Sequence, residues 1–297
     1  MNFSLRYYIE KLRKSWMIIS LVIILSLPFL IGISLLFKSW PLLVSTPISE
    51  IIFSSNWMPT KGNFGLWPFI FSSIVVSLLG LLIMIPFTLA SAIYITQFAP
   101  NWISKVLRTV IDILAGIPSV IFGLWGIIVI VPMVSEWATS ANSANASGYS
   151  ILAAGIVVAV TTLPFVLNML IELFESVPRE LKESTLAMGA SHWQTIKDVI
   201  LKKIRPGIIA AFTLGLSKAF GETIAVLMVV GNVVQIPDSI FAAGYPLPAL
   251  LANNYGEMMS IPKYDSALML SALMLLIIVI LFNYFAHKVI RFYQSKM

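Results

Sequence analysis

Six long apolar runs constrain this chain more than anything else in it. They are Trp16 to Phe37, Pro68 to Ile95, Val106 to Val134, Ile151 to Leu173, Gly207 to Gly231 and Ser266 to Ala286. A bilayer core of about 30 Å takes roughly 20 apolar residues of helix to cross. Inside hydrocarbon a helix bonds its own backbone N–H and C=O groups. The expected fold class is therefore all-α integral membrane, with six transmembrane helices. Only 11% of the residues are charged and 59% are hydrophobic, where a soluble domain carries about 25% charged. Basic residues precede the first run, but that run is of full span length, so it reads as an uncleaved helix rather than a signal peptide.

Orientation follows from lysine and arginine near the span ends. Arg6, Lys11, Arg13 and Lys14, then Lys105 and Arg108, then six between Arg179 and Arg205, and finally Lys288, Arg291 and Lys296, share one side. Lys38, Lys61 and Lys263 fall on the other, and Lys218 lies within a span. Both termini are thus expected in the cytoplasm of a multi-pass cytoplasmic-membrane protein. This distribution accounts for the net charge of +6 without nucleic acid.

The outer loops differ in character. Ala138 to Gly148 is small and polar and reads as a flexible linker. Asn232 to Asp265 holds Pro237, Pro246, Pro248 and Pro262 and reads as an ordered irregular face for a soluble external partner. Residues 1–66 form a tail, first helix and external loop. Residues 67–290 form a five-helix core with a cytoplasmic loop at 175–206.

That loop has its own punctuation. Pro178 suits a first helical position, and Glu180 favours the helix dipole. Gly189 breaks the helix. Ser191 with Gln194 is a capping-box pair for a new start. Trp193, Ile196, Val199, Ile200 and Ile204 then recur at helical spacing, and Arg205-Pro206-Gly207 either ends this helix or hands it to the next. Spacing alone leaves two readings: a bent lever seated in a partner's groove, or an ordinary basic loop.

Two spans carry candidate chemistry. The third contains Gly116, Pro118, Ser119, Gly123 and Gly126, which fits either a kinked helix packed through small residues or the lining of a path. Asp112 is expected near the cytoplasmic interface, and Pro28, Pro86 and Pro164 as kinks. In the fifth span, counted from Pro206, Lys218 lies about 18 Å in and Glu222 about 24 Å. A charge there costs at least about 2.5–3.5 kcal/mol. On a continuous helix the two share one face, one turn apart. They form either a structural pair, in the less favourable Lys-before-Glu order, or an ion site with neighbouring Thr223.

Glu183-Ser184-Thr185, Gly189 and a helix to Leu201 and Pro206 resemble the Glu-Ala-Ala loop of ABC-importer permeases. Ser184 and Thr185 stand where that family has alanines, and Lys202 where it has proline. From Trp57 onward the chain resembles the C-type permease subunit of bacterial phosphate-specific importers. The likeness rests on Phe64-Gly65-Leu66-Trp67-Pro68-Phe69, Ala92-Ile93-Tyr94, Leu114-Ala115-Gly116-Ile117-Pro118-Ser119-Val120 and Gly221-Glu222-Thr223-Ile224-Ala225-Val226-Leu227-Met228. The resemblance implies a type-I importer permease fold and no enzymatic activity of its own. It assigns substrate translocation to Lys218, Glu222 and Thr223, path lining to Gly116, Pro118 and Ser119, and ATPase coupling to Glu183, Gly189 and Ala190. It implies a second permease subunit (an A-type homologue or a second copy), two cytoplasmic ATPase subunits that use ATP and Mg, and an external phosphate-binding protein. The family has arginine at Lys218.

The residues exclude some chemistry. The chain has no cysteine and 2 histidines, both at cytoplasmic positions, so no metal or nucleophile constellation is expected in the spans. It lacks a Gly-x-x-x-x-Gly-Lys-[Ser/Thr] loop, so it does not bind ATP by that route. The competing readings are a permease for another oxyanion, such as phosphonate or sulfate, and a proton-coupled transporter using Glu222. The second lacks an evident inverted repeat of broken spans.

Overall fold

The computed structural model describes residues 3–141, 147–257 and 261–294. α1 (Phe3–Ser45) leads through α2 (Ile48–Phe53) to a two-stranded hairpin, β1 (Trp57–Met58) and β2 (Asn63–Phe64), paired Trp57↔Phe64. α3 (Trp67–Ile93) continues into a π turn at Tyr94–Phe98, and α4 (Asn101–Gly116) follows. α5 (Ser119–Trp125), a π turn at Gly126–Ile130 and α6 (Val131–Ser140) form one rod. Then come α7 (Ile151–Glu175), α8 (Arg179–Ala187), α9 (His192–Gln194), α10 (Leu201–Gly221), α11 (Ile224–Val229), α12 (Leu247–Asn254) and α13 (Tyr264–Gln294).

Among the described residues, five helical stretches are long and apolar enough to cross a membrane: Leu12–Ser45, Trp67–Phe98, Ser119–Ser140, Ile151–Glu175 and Tyr264–Phe285. Two of the six expected spans need correction. The third span, placed at Val106 to Val134, is instead two segments. Ile117 is extended (φ −71°, ψ 126°) and Pro118 follows at φ −59°, ψ 141°. Proline clashes with a helical predecessor, so α4 ends before it; the crossing rod restarts at Ser119. The fifth span, Gly207 to Gly231, is also divided. α10 stops at Gly221, Glu222 is extended (φ −70°, ψ 114°), and α11 restarts at Ile224. Lys218 therefore lies in the last turn of α10 and Glu222 is the C-cap of that helix, where the backbone turns away. Pro28, Pro86 and Pro164 do lie inside helices. Ala138–Ser140 close α6 rather than start a linker, and residues 142–146 of that run lie outside the described residues.

α7 is the central helix. It packs along α3 at two glycines: a Cβ at Gly80 would sit 2.8 Å from Val158 Cγ1, and one at Gly155 2.7 Å from Leu79 Cδ2. Small residues at such contacts let backbones approach closely, which is how helices associate in lipid. α10 packs against α7, α13 and α3. The end of the bundle that carries the hairpin is capped by Leu42, Phe64, Phe69, Tyr245 and Tyr264. There the Ser72 and Ser73 hydroxyls accept the Tyr245 and Leu247 N–H groups at 3.2 and 2.8 Å. α1 lies alongside α13 and leaves most of its other side chains uncovered.

Candidate functional site

The two breaks come together. α5 and α11, the helices that restart after them, pack side by side. Gly123 allows this: a Cβ there would lie 2.5 Å from Met228 Sδ and 3.1 Å from Ala225 Cα. The Ser119 hydroxyl and the Ala225 backbone N–H are turned toward the Glu222 carboxyl group. Lys218, in the last turn of α10, lies near enough to act on Glu222 electrostatically. Its ammonium sits 4.9 Å from the centre of the Phe165 ring on α7. Neither Lys218 nor Glu222 belongs to the Arg108–Glu175 or Lys202–Asp198 ion pair, and the Lys218 ammonium rests on Phe165 rather than on Glu222. The Thr223 hydroxyl donates to the Gly221 carbonyl at 3.1 Å, inside the break.

This region is open in the single chain. Gly116, Pro118, Lys218 and Gly221 are exposed, and Ser119, Glu222 and Thr223 are half-buried. A Cβ at Gly116 or Gly221 would meet nothing within 4 Å. Toward the α7 end that carries Glu175, the same side of α4 and α7 shows two polar contacts. Asn168 Nδ2 donates to Asp112 Oδ1 at 3.2 Å, and Arg108 Nη1 donates to Glu175 Oε2 at 3.2 Å. Thus the structure gathers Lys218, Glu222, Thr223 and Ser119 at one place, with Gly116 and Pro118 at the adjoining break. Sequence reading missed Phe165, which carries no signal in an apolar run. It also missed Asn168, a lone amide in the half of α7 that ends at Glu175, which does carry one.

The 175–206 loop is a bend with a defined hinge. α8 is capped by Pro178 and ends at Ala187. Gly189 takes φ +85°. The Ala190 N–H donates to Thr185 O at 3.3 Å and the Gly189 N–H to Leu186 O at 3.0 Å, the paired bonds of a left-handed helix terminus. The capping box is present: the Ser191 hydroxyl accepts the Gln194 N–H at 3.2 Å, and Gln194 Oε1 accepts the Ser191 N–H at 2.8 Å. A π turn at Thr195–Ile200 joins α9 to α10. Pro206 lies inside α10 and does not stop it. The helical path thus runs unbroken from His192 to Gly221, roughly 45 Å, with Lys218 at its far end. Glu183 and Gly189 are exposed and Ala190 is half-buried. Leu181, Leu186, Met188 and Trp193 are exposed apolar side chains on this bend. The Lys182 ammonium is held below the usual lysine range, first by burial and then by Arg179, against the opposing effect of Glu175.

Residues 84–297 match the family of binding-protein-dependent transport system inner membrane components. The chain is 35% identical over 243 residues to the phosphate transport system permease protein PstC of Xylella fastidiosa, covering 77% of this chain and 74% of that one. It is 30% identical over 285 residues to the PstC of Haemophilus influenzae, covering 91% and 90%. Against the probable ABC transporter permease protein YqgH of Bacillus subtilis the identity is 40% over 210 residues, covering 70% and 66%. A solved bacterial ABC transporter involved in import of the acidic polysaccharide alginate superposes with a TM-score of 0.57 at 15% identity, over 96% of this chain and 98% of that one. The inward-facing MetNI methionine ABC transporter gives 0.55 at 22% identity, over 77% and 94%. The chain belongs to the binding-protein-dependent transport system inner membrane components: it is a multi-pass permease subunit of an ABC importer, working with ATPase partners and a substrate-binding protein, and not an enzyme.

Proposed function

We propose that this permease moves inorganic phosphate inward, and that the anion passes at the meeting of the two helix breaks. The observation that carries the reading is the Lys218 ammonium beside, but not paired with, the Glu222 carboxyl. The ammonium supplies a point charge for an oxyanion. The carboxylate accepts an O–H from a protonated phosphate and finds none on sulfate at neutral pH. A buried polar group left without its partner rejects the wrong ligand strongly. Thr223 and Ser119 supply hydroxyls, and Gly116 and Pro118 line the approach. The names of the PstC relatives support phosphate. Lysine in place of the family arginine favours a second reading, a related oxyanion such as phosphonate or sulfate, because an ammonium lacks the planar fork of a guanidinium.

On this reading a second permease subunit, an A-type homologue or another copy, covers the open face of Lys218 and Gly116. Two ATPase subunits bind the exposed bend at Glu183, Gly189 and Ala190, and they hold the ATP and Mg; this chain binds no cofactor. The external phosphate-binding protein meets the outer loops. Residues 1–66 form an appendage and 67–290 the transport domain. Both termini are cytoplasmic. No nucleic acid is involved; the bilayer is the other partner.

Glu222→Gln tests the chemistry. In cells lacking their own transporter, labelled-phosphate uptake should weaken and sulfate should become a competitor. A general defect with sulfate still excluded would reduce Glu222 to a prop for Lys218. Topology has its own check. In this chain, which has no native cysteine, Asn254→Cys should react in intact cells with an impermeant thiol reagent and Lys197→Cys should not. The opposite pattern would reverse the orientation.

A further inference from the structure

We propose that Gln97 is a positioning residue that fixes the angle between the two arms of the coupling bend and relays their movement to Ser119 through α4. The proposal rests on the reading of the chain as an ATP-driven permease. Gln97 belongs to the π turn Tyr94–Phe98, an insertion found frequently at functional sites. Its Oε1 accepts from Lys182 Nζ at 3.0 Å, and Lys182 is on α8. Its main-chain carbonyl lies 3.1 Å from His192 Nε2, and His192 begins α9. The ring of the next residue, Phe98, stands nearly perpendicular to the His192 ring, with centroids 5.2 Å apart. The amide is itself held: Gln97 Nε2 donates to Thr96 Oγ1 at 2.9 Å, and Thr96 Oγ1 donates to Ala92 O at 2.7 Å.

Gly189 lies between the two arms. A Cβ there would meet nothing within 4 Å, so beyond the two main-chain bonds that close α8 no packing at Gly189 itself fixes how the second arm lies. The contacts of the arms set it instead. α8 leans on the Thr195–Ile200 turn, but hydrogen bonds from both arms converge on Gln97. From Gln97 the chain passes Pro100 into α4, whose far end is the Gly116–Pro118 break. A movement of the bend thus reaches the site twice, at Lys218 through α10 and at Ser119 through α4. The half-buried Lys182, which has left part of its water to reach Gln97, fits a contact kept throughout the cycle.

The test uses the assembled transporter in vesicles, with phosphate uptake and ATP hydrolysis measured on one preparation. Gln97→Ala should lower uptake per ATP roughly tenfold, the scale of losing one hydrogen bond to a charged group, while hydrolysis persists. Lys182→Met should reproduce the defect, and the double variant should be no worse than either single one. Gln97→Glu, which still accepts from Lys182, should retain coupling. An unchanged ratio in Gln97→Ala, or additive losses in the double variant, would overturn the proposal. If Gln97→Ala fails to assemble, a normal ratio in Lys182→Met overturns it instead. Absence of ATP-driven uptake in the unmodified transporter would overturn the underlying reading rather than the role of Gln97.

Discussion

Phosphate uptake should vanish in Lys218→Ala and survive in Lys218→Arg. A unit charge pair about 4 Å apart is worth about 4 kcal/mol at an effective dielectric of 20, roughly a thousandfold in the occupancy of an anion. Without the ammonium the anion would meet only the Glu222 charge, in a site that the proposed second permease subunit shields from bulk water, and an uncompensated buried charge is strongly unfavourable. Arginine restores the charge and adds a fork that matches phosphate, and its planar head stacks on an aromatic ring such as Phe165 at least as well as an ammonium does. Labelled-phosphate uptake at matched membrane levels is the measurement. Full activity in Lys218→Ala would leave the residue a purely structural role, resting on Phe165.

The second large effect is at Gly189. Its φ of +85° is costly for residues with a Cβ, and for a β-branched one it is a genuine outlier. Left-handed backbone costs an L-residue about 1–2 kcal/mol. Since a Cβ would meet open space there, the whole penalty is conformational. Gly189→Val should unwind the hinge and lose the two bonds from Gly189 and Ala190 N–H that close α8. ATP hydrolysis by the assembled complex should continue while uptake stops. Gly189→Asn should be the mildest replacement, because asparagine tolerates this region best, with alanine between. Normal uptake by well-expressed Gly189→Val would remove the bend from the coupling path.

Much of this architecture was readable residue by residue. The Ser191–Gln194 box and the Gly189 hinge are local rules, and local rules survive folding. The break at Pro118 was partly readable: the bias of the residue before proline was there in Ile117, but the length of the apolar run masked it. The break at Glu222 was not. Gly221 alone does not end a helix, and the restart at Ile224 depends on Gly123 letting α5 approach α11, a contact between residues about a hundred positions apart. For the same reason the run of hydropathy suggested one unbroken helix through Glu222, where the structure ends α10. Gln97 carried no pattern at all, because its role comes from where α8 and α9 happen to lie against it.

The pairing of α1 with α13 has a consequence for how the molecule is made. Gly32, whose Cβ would lie 3.6 Å from Leu276 Cδ2, marks where the first crossing helix meets the last. A ribosome delivers these two segments far apart in time, α1 ending at Ser45 and α13 beginning at Tyr264. α1 enters the membrane before α13 exists and has no intramolecular neighbour of this kind until α13 is made. Through that interval its long apolar surface, with Trp16, Phe29 and Phe37 each more than 65% exposed even in the finished fold, rests on lipid or on the insertion machinery. A chain that stops short of residue 264 would leave α1 without its mate for good, and membrane quality control would meet an orphaned first helix rather than a damaged core.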